Sequence, residues 1–114
     1  MEIAPGIFVS KLSTDDWEVD EEVGGMTHTI VAQPDGFAGL SRFDEGTGDP
    51  GEWTVPVRQV LLVLEGRARI EIEDGPTLEL GPGDLASLPA GARTNWTLTK
   101  PYREVWFFPT EYET

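Results

Sequence analysis

From Arg67 to Glu73 the chain alternates charged and apolar residues without a break, as Arg67-Ala68-Arg69-Ile70-Glu71-Ile72-Glu73. That is the period of a β-strand with one wet face and one buried face. The run before it, Gln59-Val60-Leu61-Leu62-Val63-Leu64, is apolar almost throughout and reads as a strand buried on both faces. Glu65-Gly66 between the two predicts a tight hairpin. Asp74-Gly75-Pro76 is the next turn, followed by short strands at Thr77 to Leu80 and Leu85 to Leu88 on either side of Gly81-Pro82-Gly83-Asp84. Pro89-Ala90-Gly91 ends the second of these, and Asn95 to Thr99 and Arg103 to Phe108 follow as strands. Upstream, Ile7 to Val9, Met26 to Ala32 and Phe37 to Phe43 bring the expected set to about ten. The pieces are too short for ordinary helices and spaced as in barrels and sandwiches. Ser13 to Gly25 and Asp44 to Glu52 are rich in acidic residues, Gly and Pro, and are expected to be loops at one mouth of the barrel.

Composition narrows the class. With 114 residues, 13 glycines and 9 prolines, the chain is the length of one all-β domain, taken as residues 1–114. Lys and Arg total 8 against 21 Asp and Glu, a formal net charge of -13, so the surrounding field repels phosphate backbones and anionic lipid headgroups. Neither nucleic acid nor a membrane is expected as a partner. There is no long apolar stretch of the kind a membrane span or secretory leader needs, and a cytoplasmic location is the expectation. The absence of cysteine removes disulfides, thiolate metal sites and a thiol nucleophile.

The stretch from Gly46 to Leu98 resembles the paired motifs of the cupin superfamily, G-x5-H-x-H-x(3,4)-E-x6-G and G-x5-P-x-G-x2-H-x3-N. Val63-Leu64-Glu65-Gly66 matches the close of the first motif, and Gly81-Pro82-Gly83-Asp84 with Leu88-Pro89-Ala90-Gly91 matches the second in spacing. The segment from Pro89 to Trp96 is similar to small cupins of the ethanolamine-utilisation and ureidoglycine-aminohydrolase type. The resemblance implies an all-β, cupin-type antiparallel jelly-roll barrel. It also implies a homodimer in which an early strand such as Ile7 to Val9 extends a neighbour's sheet. In that superfamily three histidines and a glutamate converge on a divalent metal. Counted back from Gly66, the glutamate position here is Gln59. The two histidine positions are Glu52 and Thr54 under the longer spacing, or Trp53 and Val55 under the shorter, and the last histidine position, counted from Gly83, is Thr94. No histidine stands at any of them. Glu52 and Gln59 are the weak metal candidates that remain, for an ion such as Mn, Fe, Ni or Zn, and no cofactor is the leading expectation.

Alternation from Gln59 places Leu61 inward, and alternation from Thr94 places Trp96 inward, which gives an apolar cavity with Gln59 and Thr94 as polar points. The alternative is a filled barrel in which those two groups bond each other or buried water. Trp53 and Trp96 are candidate pocket walls, and an aromatic wall beside Glu52 suits a cationic or ring-bearing ligand. His28, the only histidine, lies on the strand face of Met26 and Ile30 and is a candidate ligand contact or a structural residue; alone it makes neither a triad nor a metal site. Arg58 and Arg93 alternate outward and are expected to pair with surface carboxylates. The candidate pocket is therefore Glu52, Trp53, Thr54, Gln59, Leu61, Thr94, Trp96 and His28. The leading functional expectation is a metal-independent module that binds or senses a small molecule. One alternative is a small-metabolite hydrolase or isomerase with a weak divalent metal site, and another is a structural or partner-binding subunit with a filled barrel.

Overall fold

The computed structural model describes residues 1–112, and every regular element among them is a strand. In chain order these are β1 (Glu2–Ala4), β2 (Ile7–Phe8), β3 (Glu18–Val19), β4 (Met26–Gln33), β5 (Gly36–Phe43), β6 (Gly51–Thr54), β7 (Gln59–Ile72), β8 (Thr77–Leu80), β9 (Leu85–Leu88) and β10 (Arg93–Phe108). β1 and β2 form a small sheet of their own, and the remaining eight strands form one continuous antiparallel system. Its two long members, β7 and β10, pair with each other along nearly their whole length. The early half of β7 also carries β9, and its later half carries β8. The early half of β10 carries β6, and its later half carries β5, then β4 and β3. Two sheets thus share two strands, and the core lies between them: Leu61 and Val63 from one end of β7 meet Ala68 and Ile70 from the other, with Leu80, Leu88, Trp96, Leu98 and Tyr102. Burying each large apolar side chain of that set contributes about 1.5–3 kcal/mol.

The hairpin expected at Glu65-Gly66 does not form. Gln59 to Leu64 and Arg67 to Ile72 pair with the same partner, β10, so the chain continues through Gly66 as one bent strand. The bend requires a slip in register. Gln59, Leu61 and Val63 face inward before it and Ala68 and Ile70 after it, a change from odd to even positions that strict alternation forbids. Arg103 sits opposite Glu65 and Glu104 opposite Val63, which leaves Leu64 as an extra residue, a β-bulge. On β10 the inward set is Thr94, Trp96 and Leu98, then Tyr102, Glu104, Trp106 and Phe108. The residues between Thr99 and Tyr102 bulge against Gly66, whose φ is +76° and on which a Cβ would overlap the carbonyl oxygens of Thr99 and Pro101.

Two turns are sewn to the inward strands. Gly83 N donates to Val63 O at 2.8 Å and Val63 N to Asp84 O at 3.0 Å, while Asp84 Oδ2 accepts from Gly81 N at 2.8 Å. Gly91 N donates to Val55 O at 2.7 Å, and Val55 N to Ala92 O at 2.9 Å. The glycine and proline landmarks of the sequence are the points at which turns meet the barrel wall. Three short elements carry no visible signal: β1, which pairs with β2, β3, which lies inside the first segment expected to be a loop, and β6, which lies at the end of the second.

Gly66→Ala is expected to destabilise the fold by at least about 2 kcal/mol, because the new Cβ meets two carbonyls in a left-handed conformation. Urea unfolding of the variant measures this, and a midpoint equal to that of the parent would show that the bend relaxes without cost.

Candidate functional site

Strand alternation and the shared bend bring aromatic side chains from three strands to one end of the barrel. Phe37 on β5, Trp53 on β6, Trp96, Trp106 and Phe108 on β10, and Tyr112 beyond it line a cavity of about 360 Å³, within the range of small-molecule pockets. Their rings pack mostly edge to face: Phe37 with Trp106 at 4.9 Å between centroids, Phe108 with Tyr112 at 4.8 Å, Trp53 with Phe108 at 6.3 Å and Trp53 with Trp96 at 6.4 Å. Such contacts hold a wall stiff while leaving ring faces available.

The charged groups of this cavity are acidic. Asp20, Glu21, Glu22 and Glu104 line it together with Gln59, Ser41, Thr27 and Thr29, and no Lys, Arg or His is among the described lining residues. Glu104 is 5% exposed, at an inward position of β10, and its Oε1 accepts from the Tyr102 hydroxyl at 2.9 Å. Burial pushes its carboxyl up to about 7; the Tyr102 hydrogen bond works against this and the Asp20 charge adds to it. Burial also raises the Tyr102 hydroxyl, with the neighbouring Glu104 charge adding to the effect, so Tyr102 stays a donor.

Glu22 comes from the turn after β3, which is held closed by its own polar groups. Asp20 Oδ1 accepts from Glu22 N at 2.9 Å and Val23 N at 3.2 Å, and Asp20 O accepts from Gly24 N at 2.9 Å. The turn presses so closely on β5 that a Cβ on Gly25, at φ +71°, would lie 2.7 Å from Arg42 O and 2.9 Å from the Phe43 ring. Glu22 Oε1 accepts from Trp53 Nε1 at 3.3 Å and from the Tyr112 hydroxyl at 3.2 Å. Burial raises the Glu22 carboxyl above its ordinary value, with the Asp20 charge adding to this and the two hydrogen bonds opposing it.

Of the residues singled out in the sequence, the structure brings Trp53, Gln59 and Trp96 to the cavity, with Leu98 beside them. Leu61 is buried beneath, in the core. Thr94 stands behind the wall: its hydroxyl donates to Trp53 O at 2.6 Å and accepts from Trp96 Nε1 at 2.8 Å, which fixes both tryptophans. Gln59 and Thr94 do not bond each other, and Gln59 Oε1 is buried with no partner among the described residues. Glu52 and Thr54 are exposed and belong to a separate groove on the outer side of the sheet, while Trp53 and Val55 face inward. The shorter motif spacing is the one the strand obeys, and the cavity carboxylate expected of Glu52 is supplied instead by Glu22 and Glu104. His28 also faces outward. Its Nδ1 donates to Asp16 O at 2.8 Å, which leaves Nε2 to accept from the Ser10 hydroxyl at 2.6 Å, and the ring pins the segment before β3 to the back of the sheet. Arg93 pairs with Glu73 at 3.5 Å and Arg58 donates to Ser87 Oγ at 2.8 Å, both at the surface.

The divalent ion that the cupin motifs imply does not fit these positions. Trp53 and Val55 offer no donor, the Thr94 hydroxyl is engaged twice, and Gln59 supplies one neutral oxygen. Among the described residues no three His, Cys, Asp or Glu side chains come together as ligands would.

Comparison with known proteins agrees with this scaffold. The EutQ-like cupin domain family matches residues 45–106. A candidate ethanolamine utilization protein Q from Salmonella typhimurium LT2 superposes with a TM-score of 0.68 at 19% identity, covering 83% of this chain and 80% of its own. KdgF from Halomonas sp. gives 0.66 at 23% identity over 91% and 93%. The Clostridium difficile EutQ protein gives 0.62 at 21% identity over 75% and 68%. At these identities the likeness shows the fold alone. No curated protein sequence matches the chain.

The raised carboxyl of Glu104 makes stability depend on pH in a defined direction. Below its ordinary value of 4.5 the group is protonated whether the chain is folded or not, and its contribution is fully present. As pH rises from there through about 7 the unfolded chain gives up the proton first, and stability falls, by up to roughly 3 kcal/mol. Glu104→Gln is expected to match the parent in urea midpoint near pH 4.5 and to exceed it increasingly up to about pH 8. A difference that does not change with pH would show that Glu104 ionises freely in the folded chain.

Proposed function

Since the chain belongs to the EutQ-like cupin domain family yet carries Trp53, Val55, Gln59 and Thr94 where its motifs place metal ligands, we propose that it is a metal-independent module that binds a small molecule. The observation that carries this is the cavity of about 360 Å³, walled by aromatic rings and furnished with Gln59 and Glu104 as buried polar points. A barrel filled by its own side chains would have no such space, which weighs against a purely structural role. A homodimer is part of the proposal: Met1, Ile3, Ile7 and Val9, in and around the β1–β2 hairpin, are each more than half exposed, and a second copy would cover them.

Glu104 favours a second reading, that of an enzyme. A carboxyl pushed up to about 7 in an apolar cavity suits general acid–base work near neutral pH, so a metal-free isomerase or hydrolase would use Glu104 to move the proton. Turnover lost in Glu104→Gln with ligand binding retained would select this reading over simple binding.

Trp53, Trp96 and Trp106 line the cavity and Trp17 does not, so intrinsic fluorescence reports on its occupancy. In a screen of small polar and aromatic metabolites with chelator present, a ligand is expected to change that fluorescence and raise the melting temperature, stabilising by about 2.7 kcal/mol at one hundred times its Kd. Gln59→Leu is expected to weaken binding, and Glu52→Ala to leave it unchanged. Binding that chelator abolishes and Mn, Fe, Ni or Zn restores would overturn the metal-independent reading.

A further inference from the structure

The charged side chains that line the cavity all carry one sign. Glu104 lies at an inward position of β10 and Glu22 at the mouth, with Asp20 and Glu21 beside it, and no cationic side chain of the described residues lines the space between. Arg42 and Arg103 are held on the opposite face, over the Trp17 ring at 4.9 and 5.3 Å. Seven aromatic side chains line the space, and the faces of such rings are negative. Gln59, 4% exposed, lines the same cavity with Oε1 unpartnered among the described residues. A buried acceptor without a donor is costly and points to a donor that arrives with something else. An anionic ligand would meet carboxylates and ring faces, with no positive charge among the described lining residues and only the neutral Gln59 amide and the Ser41, Thr27 and Thr29 hydroxyls to set against them. A neutral ligand would leave Glu104 ionised and unpaired in an apolar cavity whenever the proton is lost.

We propose that the ligand is a small organic cation bearing N–H donors, a protonated amine on an apolar or ring-bearing body, held by Glu104 and Glu22, the aromatic wall and the Gln59 carbonyl. This rests on the reading of the cavity as a binding site. Aromatic faces and carboxylates together recognise ammonium groups, and N–H donors satisfy Gln59, which a quaternary ammonium cannot do.

The same geometry couples binding to a proton. The groups around Glu104 are Tyr102 on its own strand, Ser41 opposite it on β5, Val63 opposite it on β7, Thr27 next in the row on β4, Glu18 at the far end of that row on β3, and the Asp20 carboxylate from the following turn. None of the described groups in that set supplies a positive charge. With Glu104 titrating at about 7, an arriving ammonium replaces the proton, and binding of the cation tightens as pH rises through neutrality.

Benzylamine, benzyl alcohol and benzoate present one ring with positive, neutral and negative substituents, and tryptophan fluorescence titration at about pH 6 and about pH 8 reads their binding. Benzylamine is expected to bind at least about tenfold more tightly than benzyl alcohol at the higher pH, with benzoate weakest. Its affinity is expected to drop about tenfold at the lower pH, where only a small fraction of Glu104 is ionised, while benzyl alcohol stays level. Glu104→Gln is expected to remove the pH dependence. Glu22→Gln, at the exposed mouth where folding is not at stake, is expected to reduce the preference for benzylamine about threefold. Equal or tighter binding of benzyl alcohol or benzoate would overturn the cation and leave the cavity as a site. A benzylamine preference undiminished in both variants would also overturn it. No binding of any probe would overturn both this inference and the reading of the cavity on which it rests.

Discussion

The pairing of β7 with β10 runs through both sheets, and its bend at Gly66 decides which side of each strand faces the interior. Without the bulge at Leu64, continued alternation from Gln59, Leu61 and Val63 would carry Arg67, Arg69 and Glu71 into the barrel and put Ala68 and Ile70 in water. With it, both halves of β7 present apolar side chains to one core, and β10 presents Tyr102, Glu104, Trp106 and Phe108 on the face that Trp96 and Leu98 already occupy. The cavity wall is a direct product of that phase. Gly66 is the residue that permits it, because the carbonyls of Thr99 and Pro101 lie where a side chain would begin.

Within this frame the site is assembled against the local preference for stability. A carboxyl 5% exposed and a buried amide oxygen without a partner are both costly in an apolar interior. The rest of the cavity wall offsets part of that cost: Tyr102 donates to Glu104, and Thr94 locks Trp53 and Trp96 into fixed positions. The Asp20 turn is similarly closed on itself by backbone donors, so Glu22 is placed by a rigid element although it lies outside any strand. Arg42 Nε is also buried without a partner, on the opposite face, but the costly groups Gln59 and Glu104 are gathered at one cavity, where function is expected to reside.

Much of this was legible in the sequence. The strict alternation of Arg67 to Glu73, the Gly-Pro landmarks and the cupin motif spacing specify the fold, and alternation from Gln59 and from Thr94 turns Leu61 and Trp96 inward, as the structure has them. A bulge stands where the sequence predicts a hairpin at Glu65-Gly66, because a left-handed glycine serves a tight turn and a bulge equally well, and only the partner strand distinguishes them. The choice between Glu52 with Thr54 and Trp53 with Val55 hung on one residue of spacing, which flips every side chain of a short strand. Glu104 was missed although it had a signal: in Tyr102-x-Glu104-x-Trp106-x-Phe108 it is the one charged residue on an aromatic face. Glu22 had none, since nothing local in an acidic loop indicates that it folds back over β5.

Replacing the metal ligands changes more than affinity for an ion, because it changes the sign of the interior field. A divalent cation at the centre of a barrel presents positive charge to whatever enters, and so favours carboxylate, phosphate and enolate oxygens. Here the corresponding positions are an indole, an isopropyl group, an amide and an engaged hydroxyl, and the charged groups nearest the space are carboxylates. Groups that a metal would attract are repelled, and groups that it would repel are attracted. Similarity of scaffold therefore carries no similarity of substrate between this chain and a cupin that retains the histidines. On the reading proposed above, the two kinds of barrel would select from opposite halves of the small-molecule pool, and the choice would be made by side chains at the ends of β6, β7 and β10 on a common backbone plan.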